Sequence, residues 1–348
     1  MRYTRRVAIL ALGALAATAA TASASAAPRT SHALAQAIRP ITTFGVGLDP
    51  EGIAVNPLSG TIYVAIFGQD TVSVIDGQTN APTDTIQVGP FPTGLAVDPL
   101  TDTIYVTNQG DPQSANGSVS VIDGRTNTVT ATIPVGNYTT GVAVNSLTDT
   151  IYVTNALDCT MAVINGRTNK VTATIPVGCI PDGIAVDQRT DTIYIFIGND
   201  GPNRVSVING RTNRQMATIP AGASPSYDNP NGVAVNPQTD TVYVSNTSDN
   251  TVSVLNGRTN TVTTTIPVGM APEAVAVNPG TDTIYVPNFI SNNMSVINGQ
   301  TNTVVDTVVV PSIPNQVISN PFDAAVNTFS GTVYVDAYAF GTVTVFAP

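Results

Sequence analysis

The chain has 348 residues, 42% of them hydrophobic and only 10% charged, with a formal net charge of −10 and no tryptophan. That length can bury a sizeable core, while the acidic balance and a single lysine, Lys170, exclude the basic footprint that nucleic acid or anionic lipid requires. One histidine, His32, leaves no histidine base, His-anchored triad, haem ligand or zinc site.

Residues 1–26 read as a secretion signal: basic Arg2, Arg5 and Arg6, an apolar stretch from Val7 to Ala17, then the small-residue cleavage site Ala24-Ser25-Ala26. Arg5-Arg6 faintly resembles a twin-arginine signal, but Ala8 stands where a bulky apolar residue is usual, which favours the general secretory route. Removing three arginines and no acid takes the net charge from −10 to −13. Residues 27–38 form a short leader that carries His32. No later segment has the uninterrupted apolar run of about 18 residues that a membrane-spanning helix needs.

From residue 39 onward the chain is one unit repeated. A Gly-Val-Ala-Val-Asn type segment starts at Gly52, Gly94, Gly141, Gly183, Gly232, Ala274 and Asp323, at spacings of 42 to 49 residues. Each copy then carries a tyrosine: Tyr63, Tyr105, Tyr152, Tyr194, Tyr243, Tyr285 and Tyr334. β-Branched residues dominate and no 3.6-residue apolar period persists, so each copy reads as four short strands. That is the arithmetic of a propeller blade. The last copy stops after its third strand, Thr342-Val343-Thr344-Val345-Phe346, while Ile41–Gly47 matches the Ala-Thr-Ile-Pro-Val-Gly strands that end other copies. The fold class is therefore all-β: a seven-bladed β-propeller of four-stranded antiparallel blades over 39–348, whose N-terminal strand completes the last blade.

In such a blade the start of the third strand lies beside the end of the fourth. Cys159 and Cys179 occupy those two places in blade 3, and a disulfide is expected between them. Asn-Gly-Arg-Thr-Asn and Asp-Gly-Arg-Thr-Asn stretches supply the φ > 0 positions of the hairpins between third and fourth strands. Their arginines, Arg125, Arg167, Arg211 and Arg258, read as solvated turn residues.

Tyr105-Val106-Thr107-Asn108 and Tyr152-Val153-Thr154-Asn155 stand in full, with variants at Tyr243-Val244-Ser245-Asn246 and Tyr285-Val286-Pro287-Asn288. On these residues the repeat resembles the YVTN family of β-propeller repeat proteins, which implies a secreted or surface-associated seven-bladed propeller and little about activity. Blades 1, 4 and 7 depart from the tetrad at Tyr63-Val64-Ala65-Ile66, Tyr194-Ile195-Phe196-Ile197 and Tyr334-Val335-Asp336-Ala337. Related propeller groups include lactonases, lyases and quinoprotein dehydrogenases, so the fold does not select a function.

Chemistry belongs where the copies differ. Insertions at Gln109–Gly117, Gly198–Asn203, Ala221–Asn231, Val310–Pro321 and Ala337–Phe340 all fall on one face. On that face lie the candidate ligand-binding aromatics Phe67, Phe91, Tyr138, Tyr227, Phe289, Phe322, Tyr338 and Phe340. The only two glutamates, Glu51 and Glu273, share one repeat position just before the first strand, where blade 4 has Asp182. Three carboxylates around a funnel mouth could serve as general acid and base or hold Ca²⁺, and they are the catalytic and metal candidates. No other cofactor is indicated. The leading expectation is a secreted, monomeric binding protein that presents its loop-rich face to a small molecule or protein partner. The rivals are an extracytoplasmic carboxylate- or metal-dependent hydrolase or lyase, lactonase-like, acting on a small metabolite, and a structural protein of the cell envelope.

Overall fold

The computed structural model describes residues 38–111, 116–198, 203–222, 232–311 and 318–348. The signal, His32, Tyr227 and the middles of four insertions lie outside the described residues.

Ile38–Pro348 folds into seven four-stranded antiparallel sheets. Blades 1 to 6 run over residues 50–87, 92–136, 139–176, 181–220, 233–267 and 276–309. Blade 7 takes three strands from 321–347 and its outermost one from Arg39–Gly45, which pairs Thr42 with Val345 and Gly45 with Thr342. First strands of successive blades contact one another in an unbroken circuit, blade 7 against blade 1 included, so they line the axis of a closed ring. Among the described residues no helix is long and apolar enough to cross a membrane.

Burial follows from that arrangement. The second and third strands are covered on both faces by neighbouring blades, and Ile62, Tyr63, Val64, Ala65 and Ile66 are all buried in succession. Fourth strands lie at the perimeter; Thr261–Pro267 buries only Ile266. The core is a set of inter-blade layers: Tyr152, Met161 and Val163 of blade 3 pack on Ile184, Ile193 and Ile195 of blade 4.

The invariant tyrosine has a structural use. Tyr152 Oη donates to Asp191 Oδ1 of the next blade at 3.1 Å, and Asn145 Nδ2 donates to the same oxygen at 2.7 Å. Asn56–Asp102 and Asn236–Asp282 repeat the tie at 2.7 and 2.6 Å. Burial, reinforced by these aspartates, pushes the phenols of Tyr63, Tyr105, Tyr152, Tyr194 and Tyr243 up. Blades 1 and 7 carry Gly60 and Gly331 at the aspartate's place, and Tyr285 and Tyr334 are raised by burial alone. The two junctions flanking blade 7 therefore lack this tie.

The hairpin stretches supply the expected φ > 0 position at one residue each. Their left-handed residue is the closing asparagine (Asn80, Asn127, Asn169, Asn213, Asn260, Asn302; φ 52 to 55°), not the glycine. The glycine is needed for close approach: a Cβ on Gly210 would lie 2.6 Å from both Asp191 Oδ1 and Tyr152 Oη.

Cys159 and Cys179 are disulfide-bonded, with Cα atoms 4.1 Å apart. Closing a loop of 20 residues stabilises by about 3 kcal/mol through the unfolded chain. A Cys159→Ser/Cys179→Ser variant is expected to lose most of that amount in urea unfolding. Reductant should then shift the native protein's midpoint and leave the variant's unchanged.

Candidate binding site at the blade 7 corner

Among the described residues, the loops entering six of the first strands share a strained geometry. Asp49, Phe91, Tyr138, Ile180, Ala271 and Asn320 are all left-handed, with φ between 51 and 56°. Such φ is uncommon for large or β-branched side chains such as Phe, Tyr and Ile. The surroundings fix it: the carbonyl of each accepts an amide just past its blade's second strand, as in Gln109 N to Phe91 O at 3.0 Å and Tyr338 N to Asn320 O at 3.0 Å. Side chains of the preceding blade hold some of their amides too, Asp70 Oδ1 accepting from Phe91 and Asn250 Oδ1 from Ala271.

Two residues further on lies the position of the three candidate acids, and its backbone belongs to a second repeated device. Thr107 Oγ1 accepts the Gly94 amide at 2.8 Å and donates to the Thr140 carbonyl of the next blade at 2.6 Å. Thr154 does the same between Gly141 and Asp182, and Ser245 between Gly232 and Glu273. This hydroxyl latch draws the mouth tight. Glu51 and Glu273 are buried, at 7% and 4% exposure, and Asp182 is half-buried. The three stand on blades 1, 4 and 6, and among the described residues no three acidic, His or Cys groups converge to hold a metal ion. Glu51, Asp182 and Glu273, the candidates for holding Ca²⁺, thus stand on three different blades around the axis and form no such group among the described residues.

The acids that do meet are Asp323 and Asp336, and the charge of Glu51 also acts on Asp336. Asp336 occupies the latch position of blade 7, and its Oδ1 accepts the Asp323 amide at 2.6 Å, as Thr107 accepts that of Gly94. Its Oδ2 is buried without a hydrogen-bond partner. Asp323 replaces the glycine of other copies and reaches across the junction, Oδ2 accepting the Ile53 amide of blade 1 at 3.1 Å. Burial pushes the Asp323 carboxyl up to about 6. Burial, then the charges of Asp323 and Glu51, hold Asp336 well above the usual carboxylate range. A neutral Asp336 recovers what the threonines have, an acceptor and a donor on one side chain.

Three rings gather beside these acids. Phe289, Phe322 and Tyr338 lie pairwise 6.4, 6.5 and 6.2 Å apart between centroids, tilted or edge-on. Phe322 directly precedes Asp323. Phe67 and Phe91 form a separate pair at 5.1 Å, bridging blades 1 and 2. Tyr138 and Phe340 are half-buried. The sequence did carry a signal for the acid pair: blade 7 alone has aspartate at both the glycine and the threonine position.

The opposite face offers hollows of 320 and 220 Å³. The first is lined by Thr103, Asp123, Thr130 and Asn169, the second by Thr61, Asp76, Thr83 and Asn127, the same repeat positions one blade earlier. They are products of the repeat, unlike the blade 7 corner, which occurs once.

The architecture defines a seven-bladed β-propeller with a buried acid pair and an aromatic trio at one corner of its loop-rich mouth. No family model and no curated protein sequence matches the chain. Among solved structures a chain of Kuenenia stuttgartiensis hydrazine synthase is similar, with a TM-score of 0.73 at 16% identity over 86% of this chain and 96% of that one. That likeness shows the fold. Since 1441 solved chains match, it selects no activity.

Proposed function

We propose that this chain is a secreted β-propeller of the YVTN-repeat type that captures a small ligand at the corner of blades 6, 7 and 1. The reading is carried by the Phe289–Phe322–Tyr338 trio on the face that bears the unequal loops, with Phe322 next in the chain to Asp323 of the Asp323–Asp336 pair. Rigid rings beside a few placed polar groups are how proteins orient small molecules. The signal-like residues 1–26 and the disulfide support an extracytoplasmic setting.

A thermal-shift screen of small metabolites on the mature protein tests this. Compounds that raise the wild-type melting temperature are expected to lose most of that shift in Phe289→Ala and Tyr338→Leu. An undiminished shift in both variants would remove the site.

One observation favours a catalytic variant of the same reading. Two carboxyls whose environments hold one neutral while the other titrates near 6 have the makings of a general acid and base. The relevant groups would then be Asp323 and Asp336 with Glu51. Turnover that survives in Asp323→Asn would exclude it.

A further inference from the structure

We infer that the face opposite the loop-rich mouth docks on the surface of a phospholipid bilayer. This goes beyond the ligand reading and concerns other residues. The turns between first and second strands and those between third and fourth strands share that end of the ring: the Asn56 amide meets the Thr61 carbonyl, Thr61 pairs with Asp76, and Asp76 with Ala81. At the tips of the first kind of turn stand Leu58, Leu100, Leu147 and Phe329, 61 to 73% exposed. Single exposed apolar residues are ordinary on protein surfaces. These four hold one repeat position on the consecutive blades 7, 1, 2 and 3, beside the axis, and so form an arc. Blades 4, 5 and 6 carry Arg189, Gln238 and Gly280 there.

Charge decides what covers the arc. Every fully exposed charged side chain in these turns is an arginine: Arg125, Arg167, Arg189, Arg211 and Arg258. The aspartates of the same turns are buried or half-buried; asparagine amides occupy Asp102, Asp191 and Asp282, and turn amides occupy Asp76 and Asp123. A second copy placed face to face offers these arginines no exposed acid. A bilayer surface offers both things needed, acyl carbon for the tips and phosphate oxygens for the guanidinium forks. Because burial of the tips drives the contact, a net-neutral lipid suffices, and the acidic balance of the whole chain is no obstacle. The path of the chain agrees. Arg39 pairs with Ala347 at this end, and a Cβ on Gly331, two residues after Phe329, would lie 3.3 Å from Pro348. The residues before Ile38, with their apolar stretch from Val7 to Ala17, therefore lead into the ring on this face.

The protein has no tryptophan, so Phe329→Trp supplies a single reporter. Mixed with phosphatidylcholine vesicles, that variant of the mature protein should shift its emission to the blue and be quenched by lipids brominated high on the acyl chain. Leu157→Trp, exposed on the loop-rich face, should do neither. In co-sedimentation with the same vesicles, Leu100→Ser combined with Phe329→Ser should weaken partition at least about tenfold, at an unchanged melting temperature. High salt should leave the wild-type partition largely intact. No wild-type uptake by phosphatidylcholine, an unshifted Phe329→Trp emission, or full partition of the folded double variant overturns the proposal. So does binding confined to phosphatidylglycerol vesicles at low salt, which would leave the tips without a part. Self-association in sedimentation velocity that the double variant abolishes, without vesicle uptake, would assign the arc to a second copy instead. None of these outcomes touches the ligand corner, which stands or falls by its own screen.

Discussion

A mature protein lacking Arg39–Gly45 should no longer unfold in one cooperative transition. Those seven residues form the outermost strand of blade 7 and are the sole pairing partner of Thr342–Ala347 on that side. Their removal uncovers the edge of a strand whose Val343, Val345 and Phe346 are fully buried. It also deletes Phe44, which packs with Ile53, Ile62, Val64 and Val345 across the blade 7–blade 1 junction. Exposed edges of this kind pair with other chains. The expected result is a lowered, broadened urea transition and self-association by light scattering, reversed in part by adding the 39–45 peptide. An unchanged, monomeric transition would mean that the ring does not depend on this strand.

The second large effect concerns Asp336. Both carboxyls of the pair titrate above the usual range of an unfolded chain, Asp323 at about 6. A raised carboxyl favours folding while it is protonated. The contribution is complete below the unfolded value near 3.8 and is lost as pH climbs through the folded one. Asp336→Asn mimics the neutral acid: Oδ1 still accepts from Asp323, and Nδ2 supplies the donor that the threonines of other blades have. At about pH 8 it is expected to raise the unfolding free energy, because the wild-type carboxyl must there either ionise in its buried place or hold a proton that the unfolded chain has lost. At about pH 4.5 the gain should shrink towards zero. Urea midpoints at the two pH values decide the matter. A uniform effect, or a loss of stability at the higher pH, would show that Asp336 is charged and content.

The fold was legible because each element repeats. Seven tyrosines, seven Gly-x-Ala-Val type starts and a strand at Ile41–Gly47 that belongs at the far end fix blade number and closure together. The Cys159–Cys179 pair was legible for the same reason, since antiparallel neighbours put those positions side by side. The binding corner was only half legible. Reading down one repeat position picks out Glu51, Asp182 and Glu273, which the ring keeps apart, with Glu51 and Glu273 buried. Asp323 and Asp336 sit at two different repeat positions, 13 residues apart in the chain, and strand pairing brings them together. The aromatics were recognised as a population, but which of them touch depends on the packing of blades 6 and 7.

The shared blade also sets a timetable. Thr43 and Thr344, whose hydroxyls meet at 3.0 Å, are 301 positions apart. A ribosome therefore makes the first half of that handshake long before the second exists. Six blades can assemble as they emerge, each from contacts that are local in the chain, but the circle waits for the final residues. Bringing such distant segments together is the entropically expensive, slow step of maturation. Until it happens, Arg39–Gly45 is an orphan strand in search of a mate, and a chain stalled or clipped near its end would leave it so.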